Sequence, residues 1–324
     1  MSKSPGLFFI FFLLCLGAIS AKEKSNFIIV DGVSIKLSAQ SYKKGLSSSF
    51  GKNDSIYIPL KRAGNLLLLE AEIDGQVGNF IVDLGAPYLV LNSTYFRDYQ
   101  IDDGYYAGTL VSGTDHVKRI EVNKLTIQGL EYYNLSADVT DLAAIENKRG
   151  VKILGLLGVS LFSRYVFDLN IFTQQLILYK GFSPEKMQLE LILDSPIQLR
   201  NNVIILNAKA GGVELKFSID SGAERNVIDN SLPEKVYEGM KILGASSVTD
   251  GNGARTEVLI AVVNNINIAD FNMQKMHTLV LNLKHMSRAY DHKISGMLGF
   301  PFFALGRVII DFKEKRIRIY QHKL

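Results

Sequence analysis

Two aspartates stand in nearly the same setting. Asn79-Phe80-Ile81-Val82-Asp83-Leu84-Gly85-Ala86 and Lys216-Phe217-Ser218-Ile219-Asp220-Ser221-Gly222-Ala223 each place a carboxylate at the end of an apolar run and follow it with x-Gly-Ala. If the two turns meet, the carboxyl groups cannot both ionise cheaply, so they share one proton and titrate in coupled steps. The ionised member then takes a proton from water while the protonated member polarises an amide carbonyl, and protons pass on to the departing amine. Such hydrolysis needs neither a metal nor a nucleophilic side chain. Gly85 and Gly222 are expected to let the backbone turn tightly and to leave room for the water.

The elements around the aspartates repeat too. Leu154-Gly155-Leu156-Leu157-Gly158 recurs as Ser295-Gly296-Met297-Leu298-Gly299. A closing segment, Tyr165-Val166-Phe167-Asp168-Leu169 then Gln175 to Tyr179, is echoed by Val308-Ile309-Ile310-Asp311-Phe312 then Arg316 to Tyr320. Asp83 to Asp220, Gly158 to Gly299 and Asp168 to Asp311 span 137, 141 and 143 residues, one order with little drift. This pattern predicts two homologous domains, at 60–183 and 184–324. Short runs rich in Val, Ile, Leu and Phe, bounded by Gly, Asn or Asp, read as strands over 66–73, 78–82, 89–92, 117–127, 203–208, 213–219, 255–263, 277–283 and 307–311. Helical signals are short: 141–147, and 232–241 with Ser231 as cap and Pro233 near the first helical position. The class is all-β, with each half closing into a compact barrel. Asp168 and Asp311 read as structural turn residues.

Composition narrows the function. Apolar residues at 47% and only 7 prolines describe a folded chain, and a formal charge of +4 with no basic block gives no footing for nucleic acid. Residues 1–21, with Lys3, the apolar run Leu7 to Leu16 and small residues before Lys22, have the layout of a secretory signal. Export to a periplasmic or extracellular space is expected, with no membrane span in the mature chain. The single cysteine, Cys15, falls inside that signal, so thiolate chemistry and disulfides are excluded from the mature protein. Residues 22–59 read as a leading strand and loop or a short propeptide. The five histidines form no zinc-protease motif, and Gly251 and Gly253 belong to no complete phosphate loop, so neither a metal nor a nucleotide is expected.

On these residues the chain resembles the aspartic peptidases, of the retropepsin-like and pepsin-like group, and in particular the exported bacterial members that carry both halves in one polypeptide. Asp220-Ser221-Gly222-Ala223 with Met297-Leu298-Gly299 fits the family pattern fully; the first half supplies Asp83, Gly85 and Ala86 with Leu156-Leu157-Gly158. The resemblance implies a bilobal acid-protease-like fold with a cleft between closed barrels. It also implies hydrolysis of an extended peptide or protein substrate by a monomer, without cofactor or metal. In that reading Asp83 and Asp220 are catalytic, and Gly85, Ala86, Ser221, Gly222 and Ala223 support them. Flap hairpins would run over 107–117 and 246–256, with Tyr105, Tyr106, Ser112, Gly113, Asp250 and Gly251 as the residues placed to cover substrate.

One departure stands out. Leu84 occupies the place of a Thr or Ser whose hydroxyl would reach across the lobe interface, so the chain resembles either a working peptidase or a weak or inactive relative that binds peptides or a partner protein. Ser221 keeps its hydroxyl and is expected to reach the first lobe's backbone. Ala86 and Ala223 remove two further hydroxyls, which predicts activity in mildly rather than strongly acidic solution.

Overall fold

The computed structural model describes residues 54–99, 101–108, 114–181, 187–249, 255–289 and 292–321, together with five short strand segments within residues 7–47. Side chains are described over 54–99, 118–181, 187–246, 257–284, 286–287 and 292–321. Most of residues 1–53 lies outside the described residues.

Two six-stranded barrels form the molecule. In the first, Thr114–Ile127, Leu130–Thr140, Leu89–Asn92, Ile153–Leu157, Gln76–Val82 and Leu66–Ile73 pair in that order, and the ring closes where Leu125 meets Ile73. The second repeats the order with Arg255–Ile268, Phe271–Leu281, Asn226–Asp229, Gly296–Leu298, Val213–Ile219 and Val203–Ala210, closing where Lys209 meets Asn267. Alternation explains the closure. Leu66–Ile73 and Val203–Ala210 are both buried over their first four residues and alternate exposed with buried over the last four, filling the barrel with one face and meeting neighbouring structure or solvent with the other.

The step that creates the site is shared by both barrels. Ile153–Leu157 runs parallel to Gln76–Val82 and antiparallel to Leu89–Asn92, so it threads between the two arms of the Asp83 loop. Gly296–Leu298 does the same between Val213–Ile219 and Asn226–Asp229. Threading so close to the loop demands glycine. A Cβ on Gly155 would lie 2.1 Å from the Val90 carbonyl oxygen, and one on Gly299 would lie 2.4 Å from that of Arg225. The Leu-Gly repeats are therefore passages behind the loops.

A third sheet joins the barrels. Leu191–Arg200, Arg316–Tyr320, Arg307–Asp311, Val166–Asn170, Gln175–Tyr179 and Ser55–Pro59 pair antiparallel in that order, with each barrel contributing its last hairpin to the centre. An apolar cluster also draws on both barrels, including Leu66, Ile81, Ala86 and Leu156 with Val203, Ala223, Val227 and Met297.

The structure revises six readings. Asp311 is the counterpart of Asn170, not of Asp168: Asn170 Oδ1 accepts the amides of Phe172 and Thr173, and Asp311 Oδ1 accepts those of Lys313 and Glu314. Asn and Asp perform the same turn-capping job, which hid a two-residue slip in the alignment. Asp168 pairs opposite Ile309 at the centre of the joining sheet, where the pseudo-twofold relation brings the two hairpins together. It is an ion-pair residue, bound to the Arg307 guanidinium at 2.8 and 2.6 Å. Ser231 does not cap a helix; its hydroxyl donates to Asp229, and Pro233 stands at the cap of Glu234–Tyr237. The expected strand over 277–283 is Phe271–Leu281, with Leu283 leading into a short helix. The expected strand over 255–263 continues to Ile268, and the helix expected over 141–147 is Ala143–Arg149.

Asp168 is 1% exposed, so removing its charge strands Arg307 in the seam. Asp168→Asn is expected to lower unfolding free energy in urea by about 3 kcal/mol. Lys61→Ala, which breaks the exposed Lys61–Glu70 pair, should cost under about 1 kcal/mol. Equal losses in the two variants would contradict this role for the joining sheet.

Candidate active site

Asp83 and Asp220 sit at the ends of equivalent strands, where the two barrels meet. Each is tied back to the strand threading its own barrel: the Asp83 amide donates to Leu157 and the Asp220 amide to Leu298, both at 3.0 Å. Each loop then folds onto its own carboxylate. Asp83 Oδ1 accepts the amides of Gly85 at 2.8 Å and Ala86 at 3.1 Å, and Asp220 Oδ1 accepts those of Gly222 at 2.8 Å and Ala223 at 2.9 Å. Four backbone donors therefore do the orienting work for which Ala86 and Ala223 lack hydroxyls.

Gly85 and Gly222 have a more specific role than a tight turn with room for water. A Cβ on Gly85 would lie 2.3 Å from Cγ of Asp220, and one on Gly222 would lie 2.7 Å from Cγ of Asp83. Each glycine makes space for the carboxyl of the opposite barrel. The sequence repeat contains no direct sign of this reciprocity, which appears only when the loops are placed face to face.

Each carboxyl group lies against the glycine of the opposite loop, and each aspartate is 1% exposed. Their Oδ2 atoms are buried and take no hydrogen bond from any other group among the described residues. Burial raises both carboxyls above the ordinary range. Asp83 is pushed up to about 6, restrained by its bonds to Asp220, Gly85 and Ala86. Asp220 stands well above the carboxylate range because the negative field and hydrogen bond of Asp83 add to its desolvation. The two form one titrating unit that keeps a proton where isolated aspartates have lost theirs.

Ser221 spans the seam. Its hydroxyl donates to the Val82 carbonyl at 2.7 Å and accepts the Leu84 amide at 2.9 Å. Leu84 has no hydroxyl to return the contact and is instead fully buried in the apolar core. The brace therefore runs from the second lobe to the first only.

The hairpins are present as backbone. Tyr105 and Tyr106 lie in Ile101–Gly108, opposite Val117 and His116, while Lys241–Thr249 pairs with Arg255–Ile268. The side chains of Tyr105 and Tyr106, and Ser112, Gly113, Asp250 and Gly251 altogether, lie outside the described residues. One charged contact at the site escaped the sequence reading. Glu224, directly after the repeated Asp-x-Gly-Ala, forms a buried ion pair with Arg149. The charged pair Glu224-Arg225, where the first copy has Pro87-Tyr88, was the available signal.

A model of the aspartyl protease family matches residues 69–161 and 206–302. The chain belongs to the aspartyl protease family. Each matched stretch contains one Asp-x-Gly-Ala loop and its threading Leu-Gly strand, so the family's two regions coincide with the two barrels. No curated protein matches the sequence. No helix among the described residues is long and apolar enough to cross a membrane.

Two tests follow from this geometry. Gly85→Ala should expel the Asp220 carboxyl, destabilising the protein by at least about 2 kcal/mol, whereas Gly75→Ala, with nothing within 4 Å of its Cβ, meets only the cost of its positive φ. The second concerns pH. A carboxyl raised by folding stabilises the fold fully below its ordinary value of 3.8, and that contribution disappears as pH rises through about 6. Between pH 4 and 7 the unfolding free energy of wild type should therefore fall relative to the non-titrating D83N/D220N variant. Parallel curves would contradict a raised pair.

Proposed function

We propose that this family member is a working aspartic endopeptidase that hydrolyses peptide bonds with water activated between Asp83 and Asp220. The observation carrying the reading is the buried carboxyl pair, in which each partner is aimed by two backbone amides and admitted by the other lobe's glycine. With one proton between them, one carboxyl accepts a proton from water as it attacks the scissile carbonyl, and the other donates toward the carbonyl oxygen. Collapse of the tetrahedral adduct breaks the C–N bond as a proton passes to the leaving nitrogen. Water supplies the oxygen of the new acid, so the step balances without a further reagent.

In this proposal Gly85, Ala86, Ser221, Gly222 and Ala223 hold the pair, and the hairpins that carry Tyr105, Tyr106, Ser112, Gly113, Asp250 and Gly251 cover an extended peptide between the lobes. Both carboxyls come from one chain, which supports a monomer, and the amino-terminal run 1–21 supports export to a periplasmic or extracellular site. We assign the lobes to 60–183 and 184–324, with Ser55–Pro59 adding an edge strand to the joining sheet.

A second reading, a weak or noncatalytic relative that binds peptides, is favoured by Leu84 alone. Against it, Ser221 still makes both of its cross-lobe bonds, so the first loop remains tied to the second.

Purified protein should cleave a peptide library, and D83N and D220N should each lower kcat by at least about a hundredfold. The rate should fall on an acid limb lying between the ordinary carboxyl value of 3.8 and about 6; a maximum near pH 2 would contradict this. Leu84→Thr should raise kcat by about tenfold yet lower stability. A recovered hydrogen bond is worth about 1 kcal/mol, and the methylene volume lost from a fully buried leucine costs more than that. Cleavage unaffected by either aspartate variant would rule out the mechanism.

A further inference from the structure

Glu224 is four residues past Asp220 and is 2% exposed. Its partner, Arg149, ends the first-lobe helix Ala143–Arg149, and the Arg149 side chain is 12% exposed. Buried Nε and Nη2 of Arg149 and Oε1 of Glu224 make no hydrogen bond among the described residues, so what balances these buried charges is the ion pair between them. The helix is itself held firmly. Glu146 Oε1 accepts the Tyr95 hydroxyl and the Ile153 amide, both at 2.7 Å, and Glu146 Oε2 accepts the Asn92 amide nitrogen at 3.1 Å. Gly150, left-handed at φ 62°, closes the helix by donating to the Glu146 carbonyl.

The guanidinium of Arg149 lies over Gly64, where a Cβ would come within 2.4 Å of Nη1. Gly64 belongs to the turn that also carries Arg62. Arg62 donates to the Gly64 carbonyl and to Asn65 Oδ1, each at 3.2 Å, and sets its guanidinium 4.8 Å from the centre of the Phe300 ring. The Phe300 amide in turn donates to the Ala223 carbonyl at 2.7 Å. Two first-lobe arginines thus end on Glu224 and Phe300, one joined to Ala223 along the chain and the other by a hydrogen bond.

A buried ion pair adds little net stability compared with apolar packing of the same volume; its best-attested value is in fixing one geometry. Geometry is what the second loop needs. Ser221 anchors the first-lobe loop through Leu84 and Val82, and Leu84 offers the second-lobe loop no side-chain bond in return. We propose that Arg149 and Glu224, assisted by Arg62, form an interlobe clasp that sets Asp220 against Asp83, which makes them positioning residues. The catalytic part of this inference rests on the peptidase reading; the structural part does not.

The test compares the full-length wild type with R149M/E224L, which removes both charges together and leaves no stranded ion, and with the charge swap R149E/E224R. In R149M/E224L, kcat should fall at least about tenfold with KM within about twofold. Amide exchange at residues 220–224 should rise at least about tenfold while cooperative unfolding is retained. The charge swap should recover part of both losses. Unchanged kcat and unchanged exchange in R149M/E224L overturn the clasp. If wild type cleaves no peptide, the peptidase reading fails separately and exchange alone decides the clasp: faster exchange at 220–224 upholds it and wild-type exchange refutes it.

Discussion

Two carboxyl groups placed in contact, away from solvent, impose the constraint that organises this protein. Burial makes ionising both too costly, so the unit retains a proton, and the cost of burying it has to be met by nearby donors and tight packing. Backbone amides answer the first need: each Oδ1 takes two from its own loop. Glycines answer the second, since a single methyl group on either Gly85 or Gly222 would occupy the space of the opposing carboxyl. The barrels, the threading strands and the joining sheet keep this contact from separating.

Duplication makes that arrangement economical in sequence terms. One loop plus one threading strand, used twice, generates a symmetric pair without a separate design for each carboxylate. Symmetry is broken where the two copies touch. Ser221 reaches across and Leu84 does not, Glu224 is charged where the first loop has Pro87, and Arg225 stands where that loop has Tyr88, whose hydroxyl bonds Asn202 of the other lobe. Local self-similarity builds the barrels, and at the interface the two copies carry different residues.

The same division explains what could be read from the residues. Strands such as Leu66–Ile73, Leu89–Asn92, Val213–Ile219 and Arg307–Asp311 carry enough branched and apolar side chains, between clear turn residues, to be bounded correctly. The aspartate pair was legible because the repeat supplied a second copy to compare. The offset between copies was not. Asn170 and Asp311 cap identical turns with different residue types, and the nearby Asp168 offered a more attractive match. Contacts between barrels were the least legible: the Gly85–Asp220 approach, the Asp168–Arg307 pair and the Arg149–Glu224 pair join residues 135, 139 and 75 positions apart, and neither periodicity nor composition encodes them.

The central claim is that Asp83 and Asp220 hold one proton in common. Carboxyl carbon NMR of aspartate-labelled protein, followed from pH 3 to 9 and assigned with D83N and D220N, tests it most directly. Two coupled steps are expected, with the first displaced upward to about 6 and the second well above the carboxylate range, each moving when the other aspartate is replaced. Two independent titrations near the ordinary value of 3.8, unaltered by either substitution, would contradict the account.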